Sequence, residues 1–349
     1  MRTIKVNAST SYDIIIGDGI LSDLGTHCKN AVDICRVCVV TDDKVEPLYF
    51  EKARSSLESA GFSVIKFTVP NGETSKSAAS LISLLEFMAE SRLTRSDVMI
   101  ALGGGVVGDL CGFAAAIYLR GIRFIQVPTT LLAAVDSSVG GKTAIDLNAG
   151  KNLAGAFHQP SLVVCDYSTL STLEPSVFSD GCAEVIKYGV INDRKMFDEL
   201  KKGVKNDLEN IIAKCVINKA KIVESDEFDR GQRQLLNLGH TVGHAIELCS
   251  DLKVSHGSAV AIGMVIVMRA AVKEGFCPSS DLEELIGILK SEGLPISCDF
   301  SAEELSAVAL GDKKRDGDSI SLVVPYSIGD SRLFKIPVSE LSDFISKGL

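Results

Sequence analysis

Asp97–Leu119 reads DVMIALGGGVVGDLCGFAAAIYL. Asp97–Leu102 is an apolar run of strand length, and three glycines end it. A helical apolar pattern follows over Asp109–Leu119. A buried strand, a glycine turn and a helix in direct succession open a β-α unit of a parallel sheet. The flanking segments repeat the alternation. Arg36–Thr41 is a strand, Lys44–Ala60 a helix closed by Gly61, Ser63–Val69 a second strand, and Ser75–Ser91 a helix with Leu81, Leu84, Leu85 and Met88 on one face. Arg123–Val127 is a further strand. Strands and helices joined by short connections predict a doubly wound parallel sheet.

The pattern changes after Leu173-Glu174-Pro175. Val177–Lys202, Leu208–Asp226, Leu235–Ser250, Ser258–Gly275 and Asp281–Glu292 read as helices, interrupted by one late strand, Ser319–Val324. The expected architecture is α/β: a nucleotide-binding domain over residues 1–175, then a mostly α-helical domain over residues 176–349.

Of the 349 residues, 46% are hydrophobic and 23% charged, the balance of a globular protein with a sizeable core. The formal net charge is -9 with no long basic run, which argues against duplex nucleic acid as a partner. A bound anion remains compatible, since a few cations in a cleft outweigh a negative total. Ten cysteines are scattered along the chain. Cys35 and Cys38 form the sole C-x-x-C, inside the apolar run Val32–Val40, and without a second pair they make no zinc ribbon. We read all ten as reduced core residues of a cytoplasmic protein. MRTIKVNAST at the N-terminus has no apolar signal core. Ala259–Val272 is apolar but carries Arg269 and is too short to cross a bilayer.

Gly103–Gly108 matches G-x-G-x-x-G between a strand and a helix, where glycines let the backbone approach a pyrophosphate and helix amides point at it. The acidic residue expected about 20 positions on is missing, so a dinucleotide site and a plain tight turn fit equally well here. Gly140-Gly141-Lys142-Thr143 resembles the end of a P-loop, but Asp136 stands where the first P-loop glycine belongs. Three of the five histidines, His240, His244 and His256, fall within Asn237–His256. His240 and His244 share a helix face. With Glu184, two of these imidazoles would make a catalytic zinc shell with an open position. Each histidine alone is better explained by an N–H tied to a carboxylate, and the clustering of three brings the two readings level. Lys142, Lys151, Lys187, Lys219, Arg233, Lys313 and Lys314 lie beside these segments. Singly each reads as a solvated charge, but converging on one cleft they imply a substrate with several anionic groups.

Taken together, Gly103–Leu110 (GGGVVGDL), Arg120–Asp146, Gly150–Pro160 (GKNLAGAFHQP), Ala183–Gly189 (AEVIKYG), Asn237–Glu247 (NLGHTVGHAIE) and His256–Met264 (HGSAVAIGM) resemble the 3-dehydroquinate synthase family in order and spacing. The likeness runs from about residue 36 to residue 330. That family is similar in fold to the iron-dependent alcohol and glycerol dehydrogenases. The resemblance implies one divalent metal, zinc or cobalt, on Glu184, His240 and His256. It implies NAD contacts at Asp42, Glu73, Lys76, Gly104, Gly105, Val106, Val107, Gly108, Asp109, Thr129, Thr130, Lys142, Lys151, Thr169 and Leu170. Substrate contacts fall on Asp136, Lys142, Asn152, Lys187, Lys219, Arg233, Asn237, His244 and one of Lys313 and Lys314. Arg120 resembles a residue that the family sends into the partner subunit's site, which implies a homodimer. Leu238, Ser258 and Cys182 depart from the usual residues, and none is an expected ligand or anchor.

The reaction so implied converts 3-deoxy-D-arabino-heptulosonate 7-phosphate to 3-dehydroquinate and phosphate, a step of the shikimate pathway towards aromatic amino acids. It runs by transient oxidation with NAD, phosphate elimination, reduction and an intramolecular aldol. The alternatives are a related sugar-phosphate cyclase, whose substrate lacks the carboxylate, and a metal-dependent polyol dehydrogenase. Lys219, Arg233 and Asn237 match the carboxylate-binding pattern.

Overall fold

Near-continuous apolar runs make the central strands buried on both faces. We describe the chain from a computed structural model, which covers residues 1–310, 315–316 and 318–349. The chain opens on a hairpin, β1 (Arg2–Val6) and β2 (Tyr12–Gly17), followed by α1 (Leu24–Ala31), β3 (Arg36–Asp42), α2 (Glu51–Ser59), β4 (Ser63–Val69), α3 (Ala78–Glu90), β5 (Val98–Gly103), α4 (Gly105–Ile117) and β6 (Arg123–Pro128). A second hairpin, β7 (Lys142–Leu147) and β8 (Gly150–Phe157), precedes β9 (Leu162–Asp166). The main sheet has the order β1-β2-β9-β6-β5-β3-β4 and is parallel except for β1. Val37 and Val39 of β3 pack with Leu24 and Leu57 of α1 and α2 on one face, while Cys38 and Val40 pack with Leu84 and Leu110 of α3 and α4 on the other. Helices on both faces make the sheet doubly wound, as expected. The chain leaves β3 towards β4 on one side, and β5 pairs with β3 on the other. The strand order therefore reverses at β3 and β5, and the crevice beyond their carboxyl ends is where such sheets bind ligands.

The second part begins with α5 (Pro175–Asn192), α6 (Arg194–Leu200) and α7 (Leu208–Ser225), and continues with α8 (His240–Cys249), α9 (His256–Lys273), α10 (Ser279–Ser291) and α11 (Ala302–Ala309). β10 (Arg315–Asp316), β11 (Ser319–Ser327) and β12 (Asp330–Pro337) form a three-stranded antiparallel sheet before α12 (Leu341–Gly348). α9 is the centre of this part. Its thirteen buried residues explain its high hydropathy as that of a core helix.

Several features depart from the sequence reading, the hairpin β7–β8 and strand β9 among them. The single helix expected over Val177–Lys202 is two, because Asp193 turns out of helical geometry and its carboxylate caps Met196 N–H at 2.9 Å. The one late strand is a sheet. The N-terminal hairpin carried too little alternation to be read. Finally, the division after residue 175 is incomplete. The first unit comprises Met1–Leu173 with Cys215–Phe228, and the second Glu174–Lys214 with Asp229–Leu349. Side-chain contacts tie the returning segment down. Glu224 accepts from Asn7 N–H, Glu227 accepts from Ser9 and Gln159, and Lys219 pairs with Asp136.

Candidate functional site

In the first unit, α4 starts at the carboxyl end of β5, and its N-cap is Gly104, which provides no side-chain cap. The first amides of α4, at Gly105, Val106 and Val107, thus stand at a helix N-terminus with positive partial charge beside the β3/β5 crevice. A Cβ at Gly104 would meet the Thr130 side chain at 3.0 Å. The residues fit a bound pyrophosphate. Asp109, on the first turns of α4, pairs with Lys76 at 2.5 Å, and Lys76 also donates to Asn152 Oδ1 at 2.5 Å. Burial pulls the Lys76 ammonium down, and Asp109 outweighs it, so its pKa lies above the ordinary value. Asn152 adopts φ 55°, and its N–H donates to Asp146 at 2.7 Å. Lys151 pairs with Glu73 at 3.7 Å. Asp42, at the end of β3, accepts from the Lys44 and Val45 amides.

Thr129 is buried after β6, with its N–H on the Gly103 carbonyl, and Thr130 accepts from Ala133 N–H. Thr169 and Leu170 are buried in a 3-10 turn, where Thr169 Oγ1 donates to the Asp166 carbonyl. Lys219 donates to both the carbonyl and Oδ1 of Asp136 at 2.8 Å. Lys142 is exposed at the start of β7, and Arg120 is exposed with φ 69°. The structure therefore joins Lys76, Asp109 and Asn152, Lys151 with Glu73, and Lys219 with Asp136. It keeps Asp42 and Arg120 apart from these contacts.

The second unit holds the histidines. His240 and His256 are each the first residue of a helix, α8 and α9. These helices approach closely because both contact residues are glycines. A Cβ on Gly263 of α9 would stand 2.1 Å from the Gly239 carbonyl oxygen, and Gly239 itself takes φ 78°. Asp180 of α5 anchors the start of α9 by accepting from Ser255 Oγ at 2.6 Å and Ser258 N–H at 3.0 Å.

Glu184, on α5, is fully buried. Its Oε1 lies 3.4 Å from His240 Nε2 and 3.5 Å from His256 Nε2, and Lys187 pairs with Oε2. Oε1 has no donor in hydrogen-bond geometry. One donor atom from each of Glu184, His240 and His256 lies within 4.8 Å of the others. The outer nitrogens are held elsewhere: His240 Nδ1 sits 3.1 Å from the Leu238 carbonyl and His256 Nδ1 3.2 Å from Glu247 Oε2. Two imidazoles and a carboxylate, with both inner nitrogens turned to one under-coordinated oxygen, fit a divalent ion. His244 is the neighbour at 5.5 Å between ring centroids from His240 and 6.0 Å from His256. A second triad, His244, Glu247 and His256, also falls within 4.8 Å.

The electrostatics agree with the geometry at Glu184 and His240, and at His256 the two carboxylates favour a protonated ring whose inner proton a bound ion would replace. Burial would raise the Glu184 carboxyl, but Lys187 and the imidazoles hold it well below the ordinary range. Burial, then Lys187, pushes His240 down to about 3, so its ring is neutral and free to donate a lone pair. Burial lowers His256 too, but Glu184 and Glu247 outweigh it and raise it to about 10. Arg233 is buried and Asn237 half-buried on the 3-10 segment Gln232–Asn237, and Lys187 is buried on α5. Lys313 and Lys314 lie outside the described residues. Sequence reading gave Glu247 no role. Its signal was position: it stands three residues after His244, on the same helix face.

A family model described as 3-dehydroquinate synthase N-terminal matches residues 66–180, and one described as 3-dehydroquinate synthase C-terminal matches residues 181–315. The chain is 43% identical over 344 residues to the 3-dehydroquinate synthase of Streptococcus gordonii, covering 96% of this chain and 97% of the relative. The crystal structure of a 2-deoxy-scyllo-inosose synthase complexed with carbaglucose-6-phosphate, NAD+ and Co2+ is similar at a TM-score of 0.89 and 25% identity, with 100% of each chain covered. Glycerol dehydrogenase from Schizosaccharomyces pombe shares the fold at a TM-score of 0.69 and 17% identity, over 96% of this chain and 88% of that one.

Proposed function

The chain belongs to the 3-dehydroquinate synthase family, and we propose that it is a phosphorus-oxygen lyase converting 3-deoxy-D-arabino-heptulosonate 7-phosphate to 3-dehydroquinate and phosphate. The convergence of Glu184, His240 and His256 on one point, with Lys187 against the same carboxylate, carries the reading. It gives a Lewis-acid site a neighbouring cation, as elimination of an anionic leaving group requires. When bound, NAD would supply reversible hydride transfer and zinc or cobalt a Lewis acid for the substrate's hydroxyl oxygens.

The chain's own residues bind and orient. The Gly104–Asp109 turn takes the pyrophosphate of NAD, and Asp42, Glu73, Lys76, Thr129, Thr130, Lys142, Lys151, Thr169 and Leu170 complete its contacts. Lys187, Lys219 and Arg233, with Lys142 and one of Lys313 and Lys314, neutralise a phosphate and a carboxylate. Asp136, Asn152, Asn237 and His244 fix the hydroxyls, so that reacting groups meet in one orientation. Arg120, exposed on a left-handed backbone, is assigned to the site of the partner subunit in a homodimer. Ten free thiols suit a cytoplasmic enzyme.

The test is a stopped assay with the heptulosonate phosphate and substoichiometric NAD. Many moles of phosphate are expected per mole of NAD, with NADH never exceeding one equivalent of enzyme. NADH accumulating in step with substrate, without phosphate, would leave a polyol dehydrogenase in place of the lyase.

A further inference from the structure

His240 and His256 both turn Nε2 towards Glu184, yet different groups hold their outer nitrogens. Behind His240 is a neutral acceptor, the Leu238 carbonyl at 3.1 Å. Behind His256 is a carboxylate, Glu247 Oε2 at 3.2 Å, on a side chain only 2% exposed. Burying a carboxylate is costly unless it is hydrogen-bonded and paired, so Glu247 is held where it is by what it touches. It projects from α8, and the Gly239–Gly263 approach holds α8 against the helix that begins with His256.

We propose that Glu247 is a positioning residue. It locks the His256 ring with Nδ1 outward and Nε2 facing the ion, and its charge strengthens that nitrogen as a donor. The inference rests on the metal reading given above. Glu247 could instead be a ligand itself, with His244 and His256. The geometry favours the positioning role. Glu247 is already in hydrogen-bond contact with Nδ1, whereas Glu184 Oε1 has no donor in hydrogen-bond geometry and faces two Nε2 atoms at 3.4 and 3.5 Å. One imidazole then uses one nitrogen for each carboxylate, the pattern of a ligand with an acidic partner behind it.

The experiment compares Glu247→Gln and Glu247→Ala with the wild type after stripping, by competition of Zn2+ with a chromophoric chelator and by the visible spectrum of the Co2+ form. Glutamine keeps an acceptor for Nδ1–H but not the charge. About tenfold weaker zinc binding is expected for Glu247→Gln and up to about a hundredfold for Glu247→Ala. The Co2+ spectrum should shift most in Glu247→Ala and return towards wild type in Glu247→Gln. Thermal midpoints of the metal-free proteins separate this from misfolding, and Glu247→Gln carries the test if Glu247→Ala does not fold. Affinities within twofold of wild type and unchanged Co2+ spectra in both variants would overturn the proposal. So would complete loss of the ion in Glu247→Ala and in His244→Ala together, which would make Glu247 a ligand. The metal reading itself fails differently: wild type taking up no ion, or Glu184→Gln and His256→Ala binding it normally.

Discussion

Arg233 is 1% exposed, among the largest side chains so deeply buried in the protein. A guanidinium cannot shed its proton at such a place, so it stays a planar cation with five donors. Arg233→Lys keeps the charge and loses the fork, and a charged hydrogen bond is worth about 1.5–3 kcal/mol. Catalytic efficiency with the heptulosonate phosphate should fall at least about tenfold; steady-state kinetics within twofold of wild type would remove Arg233 from substrate binding. From sequence Arg233 was one of seven candidate cations, and nothing local told it from a solvated one, because burial is a property of the packed chain. The histidines show the same limit. Spacing put His240 and His244 on one helix face, but which Nε2 atoms meet Glu184 depends on where α8, α9 and α5 are set against one another.

At the scale of elements, the metal triad depends on how closely α8 and α9 approach. Gly263→Ala would place a methyl 2.1 Å from the Gly239 carbonyl oxygen. Backbone cannot yield there as a flexible side chain would, so the helices must separate. Overpacking of this kind costs about 1–3 kcal/mol. The variant should melt several degrees lower and bind zinc more weakly; wild-type melting and zinc stoichiometry would show that the contact is dispensable. A second prediction concerns α6 and α10. Arg194 and Asp198 of α6, with Lys201 just after it, form a charge cluster with Glu284 of α10. Arg194 and then Lys201 hold the Asp198 carboxyl below its ordinary range, and Lys201 is the leading cause for Glu284. Carboxyls lowered in the fold contribute stability above their unfolded pKa of about 4, and lose it as pH falls through the lower folded values. Lys201→Met should therefore be less stable than wild type at pH 7, with the gap closing in acid. Solvent screens these half-exposed groups, so the gap will be small. Urea unfolding at pH 7 and pH 3 measures it, and a gap that widened in acid would contradict the assignment.

At the scale of the whole molecule, ten cysteines stand as free thiols. Burial pushes Cys28, Cys38 and Cys165 up to about 12, so almost none of each is thiolate at neutral pH. In the folded protein at pH 8 these three should resist a disulfide reagent that labels them at once in denaturant; mass spectrometry finding them labelled in the native state would mean they are not core residues. Much of the architecture was determined by the sequence alone. Apolar runs of strand length, closed by glycine and alternating with helical periods, can bury their surface only in a doubly wound sheet, and the glycine turn after β5 announced its helix terminus. The family, too, was legible, since its motifs are long contiguous strings. Tertiary structure decided the rest. Cys215–Phe228 returns to the first unit through contacts with Asn7, Ser9, Asp136 and Gln159, residues far away in sequence. Glu247 acquires its place behind His256 in the same way. Local pattern reports which face of an element is apolar, but a partner across the core is chosen by packing, which no window of neighbouring residues contains.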